Sequence, residues 1–528
     1  MSVSGWWREA ALYQIYPRSF QDTDGNGIGD LEGICRRLDH IADLGVGAVW
    51  LSPIFRSPMA DFGYDVSDYR DIDPVFGDMA AFDRLLEETH ARGLKLLLDF
   101  VPNHSSDQHP WFQESRSSRD NPKRDWYIWH DPAPDGGPPN NWMSNFGGSA
   151  WEWDEHTDQY YYHAFLAEQP DLNWRNPDVR AAMRDVLRFW LDKGVDGFRV
   201  DVIWHLIKDA EFRDNPLNPH YDASHPDIDR YLQVYSADQP EVHDVIAELR
   251  AVIDSYDDRL LIGEIYLPIE RLMTYYGRDN SGVHLPFNFQ LIQCAWNADA
   301  IGSLIHEYES ALPEGGWPNW VLSNHDQPRI AARVGEAQAR VAAMLLLTLR
   351  GTPTLYYGDE IGIADVDMTE EEVLDPAAIN EPGVSFNRDR SRTPMQWSDK
   401  PVAGFSDGKP WLPLTQDWRE RNAAVQRQDP ASLLNLHRAL LHIRSIEPDL
   451  LSGAYRRIDM DEDVLAYERG ASIAVILNLS SEPVELSLPD KWKAARVLLS
   501  VRSAQALNEV PANLAGAEGV ILKIKDAE

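Results

Sequence analysis

The sequence predicts an α/β protein built on a closed (β/α)₈ barrel, and three observations support this fold class. Short apolar runs alternate with longer amphipathic helical segments, which is typical of parallel β/α units. The alternation stops after His104, and residues 105–172 are rich in Trp, Pro, Gly, Asn and Asp. After about Gly453 the sequence becomes β-rich with polar turns. We therefore expect a barrel with an inserted domain after strand three and a C-terminal antiparallel β domain.

Eight apolar runs are the predicted barrel strands. They are Ala11–Tyr16, Ala48–Pro53, Lys95–Phe100, Phe198–Val200, Leu260–Glu264, His284–Phe289, Trp320–Asp326 and Thr352–Glu360. The predicted helices are Leu31–Leu44, Ala80–Arg92, Asn176–Lys193, Glu241–Tyr256, Glu336–Leu349 and Ser432–Ser445. Strands and helices in this order predict a TIM barrel, in which the carboxyl ends of the strands meet at one mouth.

The chain divides into three predicted domains. The barrel takes residues 1–104 and 173–452. Residues 105–172 are too long for a plain loop, so we expect them to fold as a domain inserted over the barrel mouth. Residues 453–528 form the C-terminal β-sandwich domain. The acidic stretch Asp365–Glu381 is expected to be a mobile loop after the eighth strand.

The charge balance restricts the partners of the protein. Acidic residues outnumber basic ones 85 to 49, which gives a formal net charge of −36. This charge disfavours nucleic acid and anionic membranes as partners, although salt adaptation produces the same composition. Cys35 and Cys294 are too few for a disulfide framework or a zinc site, which favours a reducing, cytoplasmic compartment. We recognise no signal peptide, and no apolar run reaches the roughly 18 residues of a membrane helix.

Polar side chains stand at the carboxyl ends of the predicted strands, where barrel enzymes carry their chemistry. In GFRVD, residues 197–201, Arg199 and Asp201 project from one face because strand side chains alternate with period two. The guanidinium can then hold the carboxylate ionised. A structural Arg–Asp pair is the simpler interpretation of this motif alone. Other strands, however, end in Asn103, His104, Glu264, His325 and Asp326.

Three carboxylates, those of Asp201, Glu264 and Asp326, would meet at this mouth, which is costly unless they perform chemistry. Acetal hydrolysis needs one carboxylate at the anomeric carbon and one protonated acid at the leaving oxygen. A metal site on His104 and His325 is the alternative. We disfavour it because no H-x-x-x-H or H-x-H spacing is present.

The loop DTDGNGIGD, residues 22–30, offers a separate cluster of oxygen atoms. Asp22, Asp24, Asn26 and Asp30, with the backbone carbonyl of Ile28, have the spacing of a hard-cation site. The loop lacks the glutamate at position 12 of an EF-hand, and a plain Gly/Asp turn is the alternative interpretation.

Six motifs in order resemble the α-amylase family of glycosidases (glycoside hydrolase family 13), in its bacterial α-glucosidase and oligo-1,6-glucosidase branch. The resemblance spans almost the whole chain, from YQIYPRSF at 13–20 through RTPMQW at 392–397 into the C-terminal domain. The motifs are DFVPNH (99–104), QPDLNW (169–174), GFRVD (197–201), GE (263–264), SNHD (323–326) and GTPTLYYGDEIG (351–362). Each is moderately specific, but together on a barrel pattern they are strong grounds for the family.

The resemblance implies a catalytic role for each of the three acids. It implies Asp201 as the nucleophile and Glu264 as the general acid/base. Asp326 would be the third carboxylate, which grips sugar hydroxyls and helps to distort the ring.

The resemblance also implies the residues that surround the sugar. The terminal glucose (subsite −1) would be lined by His104, His325 and Arg199, with Tyr64 as a stacking platform. Arg388 would pair with Asp61 and close the far end of the pocket, so the enzyme should remove one terminal sugar at a time. Phe146 and Phe165 match aromatics at the entrance, and the 22–30 loop would hold a structural Ca²⁺ or Mg²⁺.

We therefore expect a retaining, exo-acting α-glucosidase for small α-glucosides of the maltose, isomaltose or sucrose type, without an organic cofactor, as a monomer or homodimer. Val202 is the residue type of relatives that cleave α-1,6 bonds, but Ile203-Trp204-His205 departs from their usual sequence, so the linkage stays open. The alternatives are an oligo-1,6-glucosidase, or a transferring or isomerising relative such as trehalose or isomaltulose synthase. A non-catalytic transporter heavy chain is disfavoured because all three acids are present.

Overall fold

A computed structural model describes residues 5–507 and 509–524 of the chain. The barrel strands, numbered along the chain, are β1 (Leu12–Ile15), β2 (Ala48–Leu51), β3 (Lys95–Phe100), β4 (Gly197–Val200), β5 (Leu260–Gly263), β6 (Leu285–Pro286), β7 (Asn319–Val321) and β8 (Thr352–Tyr356). Within the described residues these eight form one parallel sheet in the order β6-β5-β4-β3-β2-β1-β8-β7. A further parallel bridge joins Asn288 to Trp320 and closes the barrel. The predicted (β/α)₈ barrel is confirmed.

One helix that packs outside the barrel follows each strand. These helices are α1 (Leu31–Leu44), α2 (Met79–Ala91), α3 (Pro177–Lys193), α4 (Val242–Ile253), α5 (Ile269–Met273), α6 (Ala298–Ala311), α7 (Ile330–Thr348) and α8 (Leu433–Ile446). Local sequence explains their ends. The Asp30 carboxylate caps the first turn of α1, which stops at Gly45 in the left-handed conformation (φ +92°). Asn176 caps α3 in the same way.

The structure adds a short turn before one predicted helix. The long part of α7 starts at the predicted Glu336, and Gly335, with a positive φ of +78°, separates it from a first turn that begins at Ile330. The sequence did not predict this first turn, because glycine is a weak helix former. Several strands also end before the polar residues that were predicted within them.

Two apolar layers hold the barrel together. Outward-facing strand residues pack against the helices. Inward-facing residues fill the barrel interior, among them Leu12, Trp50, Leu97, Ile262, Leu285 and Val321. The interior is therefore a packed core, and polar side chains are confined to the strand ends.

Four further sheets accompany the barrel in the described part of the chain. Two of them are two-stranded and pair Phe55–Arg56 with Asp68–Ile72 and Val484–Glu485 with Asn513–Leu514. In the 105–172 segment, Trp129–His130, Trp151–Asp154 and Gln159–Tyr162 form a three-stranded antiparallel sheet. It lies toward the barrel mouth, since Asp171 bridges to His104. Near the C-terminus, Tyr455–Ile458, Val464–Arg469, Ile473–Asn478, Arg496–Ser500, Gln505–Leu507 and Gly519–Lys523 form a six-stranded sheet. The domain boundaries given above stay our prediction.

The expectation of a plain mobile loop at Asp365–Glu381 is wrong for its C-terminal part. This stretch contains the short helix Pro376–Asn380, which the Asp375 carboxylate caps. Asp375 is fully buried and hydrogen-bonded to Arg388. Burial of an ion pair anchors the segment, which acidic composition alone did not reveal.

Helices that could cross a membrane, being both long and apolar enough, are not found among the described residues.

Gly197→Ala tests how tightly the fourth strand is placed. Gly197 opens β4 with φ +157°, and a Cβ there would lie 2.2 Å from the carbonyl oxygen of Leu260. We expect the substitution to lower the free energy of unfolding by about 1–3 kcal/mol, the usual cost of overpacking. Urea denaturation measures this. Gly137→Ala is the control, because Gly137 is half-buried and its nearest neighbour is its own loop's Asp135 side chain. Equal effects in the two variants would contradict the prediction.

Candidate active site

Arg199 lies at the centre of the strand-end carboxylates. Its guanidinium is buried, with Nη1 2.8 Å from Asp99 Oδ1 and 2.6 Å from Asp201 Oδ1. Its Nη2 lies 2.7 Å from Glu264 Oε2. One cation therefore contacts three carboxylates, and two of them are predicted catalytic groups.

The backbone fixes the positions of the two predicted catalytic acids. The N–H of Asp201 donates to the carbonyl of Phe100 in β3, at 2.8 Å. The N–H of Glu264 donates to the carbonyl of Val200 in β4, at 3.0 Å. Each acid thus adds one backbone hydrogen bond to the pairing of neighbouring barrel strands, and its side chain lies at the mouth of the barrel. Rigid strand ends give such side chains little freedom.

The protonation of these acids differs from the sequence-based expectation. Burial raises the pKa of Glu264 to about 8, although Arg199 opposes the rise and Asp201 adds to it. Burial also raises the pKa of Asp201 to about 7, again against Arg199. The expectation that Arg199 holds Asp201 ionised is therefore too simple, because Asp99 and Glu264 share the same cation. Burial thus favours the protonated form of both acids, which share one cation.

Val202 contributes a backbone contact to the site. Its N–H donates to Glu264 Oε2 at 2.8 Å. The residue sits in the left-handed region, with φ +35° and ψ +46°, which is strained for a β-branched side chain. Trp204, two residues later, is buried beside Tyr266, with ring centroids 5.9 Å apart. The strained turn therefore aims one donor at the carboxyl of Glu264.

Asp326 has a different electrostatic environment from the other two acids. Its Oδ1 lies 2.9 Å from Arg392 Nη2 and 3.5 Å from Arg388 Nη1. Burial opposes ionisation, but His325, Arg392 and Arg388 outweigh it and hold the pKa of Asp326 well below its ordinary value. Asp326 is thus an anion across the neutral pH range, which suits a group that holds hydroxyls.

Tyr64 and His325 form a stacked pair at the floor of the mouth. Their ring centroids lie 5.4 Å apart with an interplanar angle of 6°. Tyr64 Oη lies 2.5 Å from His325 Nε2 and 3.2 Å from Asp99 Oδ2. Burial lowers the pKa of His325 to about 3, so its imidazole is neutral at pH 7.

His104 and the aromatic side chains of the inserted segment lie on another side of the barrel mouth from Tyr64 and His325. Gln169 Nε2 lies 3.2 Å from His104 Nε2 and 3.3 Å from Asp61 Oδ2. The ring centroid of Phe165 lies 5.2 Å from that of His104 and 5.4 Å from that of Phe146. Burial lowers the pKa of His104 to about 4. The structure thus brings the inserted segment onto the barrel mouth.

Arg388 contacts two carboxylates at the far side of the mouth in addition to that of Asp326. Its Nη2 lies 2.8 Å from Asp61 Oδ1 and 2.6 Å from Asp375 Oδ1. Its guanidinium carbon lies 4.6 Å from the centroid of the Phe146 ring, a cation–π contact. The cluster therefore joins three distant parts of the chain at one edge of the site.

The 22–30 loop lies apart from this cluster. Carboxylate oxygens of Asp22, Asp24 and Asp30 lie within 4.8 Å of one another. Asp22 also accepts from the N–H of Gly27 at 2.8 Å and from the hydroxyl of Ser406 at 2.5 Å. The loop is therefore pre-shaped, and three converging hard oxygens fit a cation such as Ca²⁺ or Mg²⁺. Asn26 Oδ1 accepts from the N–H of Ile28, so it is engaged within the loop.

Sequence reasoning missed four residues of the site. Asp99, Gln169 and Arg392 are the first residues of DFVPNH, QPDLNW and RTPMQW, so those motifs contained the signal. Asp375 stands in an acidic stretch without a motif, and nothing in the sequence distinguished it from its neighbours. Its contact with Arg388 depends on the fold of the whole loop.

Asp375→Asn tests whether this carboxylate anchors Arg388. The amide keeps the side-chain size but removes one charge from a buried pair, so we expect the free energy of unfolding to fall by about 3 kcal/mol. Asp367→Asn is the matched control on the same loop, because Asp367 pairs with Arg390 while 95% of its side chain is exposed. Thermal and urea denaturation of both variants measure the difference. Equal, small losses would show that Asp375 anchors nothing.

Comparison with known proteins identifies the family. The family model for the alpha amylase catalytic domain matches residues 14–453. A protein named "Probable alpha-glucosidase" from Rhizobium meliloti (strain 1021) is 44% identical over 505 residues, which cover 92% of this chain and 91% of the relative. An "Oligo-1,6-glucosidase" from Parageobacillus thermoglucosidasius is 38% identical and covers 96% and 97%. The crystal structure of the alpha-glucosyl transfer enzyme XgtA matches with a TM-score of 0.93 and 42% identity, and covers 99% of this chain and 100% of that one. The chain belongs to the alpha-amylase family, among its α-glucosidase and oligo-1,6-glucosidase members.

Proposed function

We propose that this enzyme is a retaining α-glucosidase that releases terminal, non-reducing glucose from small α-glucosides. The observation that carries the proposal is the shared guanidinium of Arg199, which contacts Asp201 through one nitrogen and Glu264 through the other. Two carboxyls bridged by one guanidinium suit the roughly 5–5.5 Å separation of a retaining pair better than the wider spacing of inverting enzymes.

The two acids divide the chemistry. Glu264, in its acid form, protonates the glycosidic oxygen as the bond to C1 breaks. Asp201, as carboxylate, attacks C1 and forms a covalent glucosyl ester. In the second step Glu264 takes a proton from water, the hydroxyl oxygen attacks C1 and Asp201 leaves. The proton taken from water restores the acid form of Glu264 that was lost to the leaving group in the first step, so atoms and charges balance over the cycle.

The exo action follows from the closed end of the site. Asp61, Arg388 and Asp375 form a buried ion cluster beside Phe146, so a sugar chain cannot extend in that direction. The anion of Asp326 and the neutral imidazoles of His104 and His325 supply hydrogen-bonding partners for the hydroxyls of one glucose. Tyr64 provides an aromatic face beside them.

Two properties distinguish this proposal from its alternatives: the glycosidic linkage that the enzyme cleaves, and whether water or a sugar accepts the glucosyl group. Oligo-1,6-glucosidase activity is favoured by Val202, and glucosyl transfer is favoured by the likeness to an alpha-glucosyl transfer enzyme. Incubation with maltose, isomaltose, sucrose and trehalose, with products quantified over time, distinguishes them. Free glucose as the main product supports hydrolysis, transferred oligosaccharides support a transferase, and an isomeric disaccharide from sucrose supports an isomerase.

We also propose a structural Ca²⁺ or Mg²⁺ held by Asp22, Asp24 and Asp30. The cation would hold the loop after β1 closed against Ser406, and it would take no part in turnover. We further propose a cytoplasmic location, which the free thiols of Cys35 and Cys294 favour. We also propose that the protein is a monomer or a homodimer.

The stereochemical prediction is that α-glucose appears first. NMR of an α-glucoside digest, recorded before mutarotation, distinguishes the anomers. If β-glucose leads, the enzyme inverts, and Asp201 cannot be its nucleophile.

A second prediction separates the roles of the two acids. Asp201→Asn should abolish turnover of every α-glucoside because the nucleophile is lost. Glu264→Gln should retain activity on substrates such as α-glucosyl fluoride and dinitrophenyl glucosides, whose leaving groups need no proton. Initial rates on paired activated and natural substrates measure this. Equal loss on both substrate classes in Glu264→Gln would contradict the acid role.

The cation prediction uses Asp24→Asn, since Asp24 is exposed and its hydrogen bonds go to Asn26 of the same loop. A chelator should lower the Tm of the wild-type protein, and this shift should be absent in the variant. The kcat of the variant should match wild type below its Tm. A lower kcat at unchanged Tm would mean that the ion acts in catalysis.

A further inference from the structure

Gln14 is a buried polar residue of β1 that the proposed chemistry does not use. It is 0% exposed, and its side-chain amide lies between Ser52 and His325. Gln14 Nε2 is 2.9 Å from His325 Nδ1 and 3.3 Å from Ser52 Oγ. Apolar side chains fill the rest of the barrel interior, so this amide has few polar partners. Its orientation therefore decides which of its atoms is left without a hydrogen bond.

The orientation of the amide is decided by what would be left unpaired. With Nε2 toward His325, Gln14 Oε1 has no hydrogen-bond partner among the described residues. With the amide reversed, the unpaired atom would be a buried NH₂ group with two donors. Unpaired buried N–H groups are rarer than unpaired carbonyl oxygens. The first orientation is thus favoured, and Gln14 is the donor to His325.

A donor at Nδ1 determines where His325 carries its proton. The ring is neutral, so when Nδ1 accepts, the proton is on Nε2. Nε2 faces Tyr64 Oη at 2.5 Å and Asp326 Oδ2 at 3.2 Å. Both are acceptors for this N–H, and Tyr64 is then free to donate its own proton to Asp99 Oδ2 at 3.2 Å.

The Nδ1–H tautomer of His325 would reverse the direction of the hydrogen bond to Tyr64, and this reversal would be unfavourable. An unprotonated Nε2 would face the anionic carboxylate of Asp326, lone pair against lone pair. Tyr64 would then donate to His325, and Asp99 would lose that donor. Asp99 shares Arg199 with Asp201 and Glu264, so its hydrogen bonds bear on both catalytic groups.

We propose that Gln14 is a positioning residue that holds His325 as the Nε2–H tautomer and thereby directs the chain of hydrogen bonds from His325 through Tyr64 to Asp99. Stacking of His325 on Tyr64 fixes the plane of the ring, and Gln14 fixes its proton. The consequence for catalysis rests on the proposed α-glucosidase function, whereas the tautomer itself does not.

The first test is NMR of the wild-type protein labelled with ¹⁵N-histidine. Two-bond ¹H–¹⁵N correlations report which ring nitrogen carries the proton, and the spectrum of His325→Asn assigns the signals. We expect His325 to be protonated at Nε2 at pH 7. Protonation at Nδ1 would overturn the proposal, whatever the enzyme's substrate proves to be.

The second test compares three variants. Gln14→Glu places an acceptor at Nδ1, so the proton should appear on that nitrogen, and kcat/KM should fall by about 100-fold or more. Gln14→Met removes the donor while keeping an unbranched side chain of similar length, and should lower kcat/KM by roughly 10-fold, the value of one hydrogen bond. Ser52→Ala is the matched control, because it removes only the other contact of Gln14. It should keep the Nε2–H signals and a kcat/KM within about twofold of wild type.

Two outcomes would overturn the proposal. One is an unchanged Nε2–H signature in Gln14→Glu, even with activity lost, since Gln14 would then act only through packing. The other is wild-type kcat/KM in a Gln14→Glu variant whose tautomer has switched. Circular dichroism and Tm confirm that each variant is folded, and the wild-type spectrum decides the tautomer if Gln14→Glu does not fold.

Discussion

The structure of the site depends on one guanidinium and the three carboxylates around it. Arg199 neutralises only part of the charge of Asp99, Asp201 and Glu264, and all three are buried. Desolvation therefore raises the pKa of each carboxyl above its ordinary value. The shortage of positive charge is useful, because it lets one of the proposed catalytic acids keep a proton at neutral pH. A second cation at this position would remove the difference in role.

Asp326 shows the opposite arrangement a short distance away. Arg392 and Arg388 both contact it, and its carboxylate remains ionised. The contrast between the two environments supports our proposal that one acid transfers a proton and another keeps a fixed negative charge. Burial is also the main reason why the imidazoles of His104 and His325 are neutral, and the arginines around His325 add to it.

The barrel and the family could be predicted from the sequence because their signals are local and ordered. Apolar runs, caps such as Asp30 and Asn176, and motifs at strand ends each occupy a few consecutive residues. The raised pKa of Asp201 could not be predicted, because it depends on burial and on Asp99 and Glu264, which approach Arg199 from other strands. Asp375 was missed for a related reason: its burial results from the path of a loop, and acidic composition pointed to solvent. The short turn before Gly335 in α7 was not predicted, because the glycine separates it from the helical period that follows.

In the proposed function, the ion cluster of Asp61, Arg388 and Asp375 limits the length of the pocket, while other residues carry the chemistry. The two proposed catalytic acids directly follow β4 and β5, whereas these three residues lie on segments after β2 and β8. Changes to those segments can alter which sugars are admitted without moving Asp201 or Glu264. Selection can therefore act on substrate choice while the strand ends stay constant, and an insertion or deletion around Asp375 would be an economical route from a closed pocket to an open cleft.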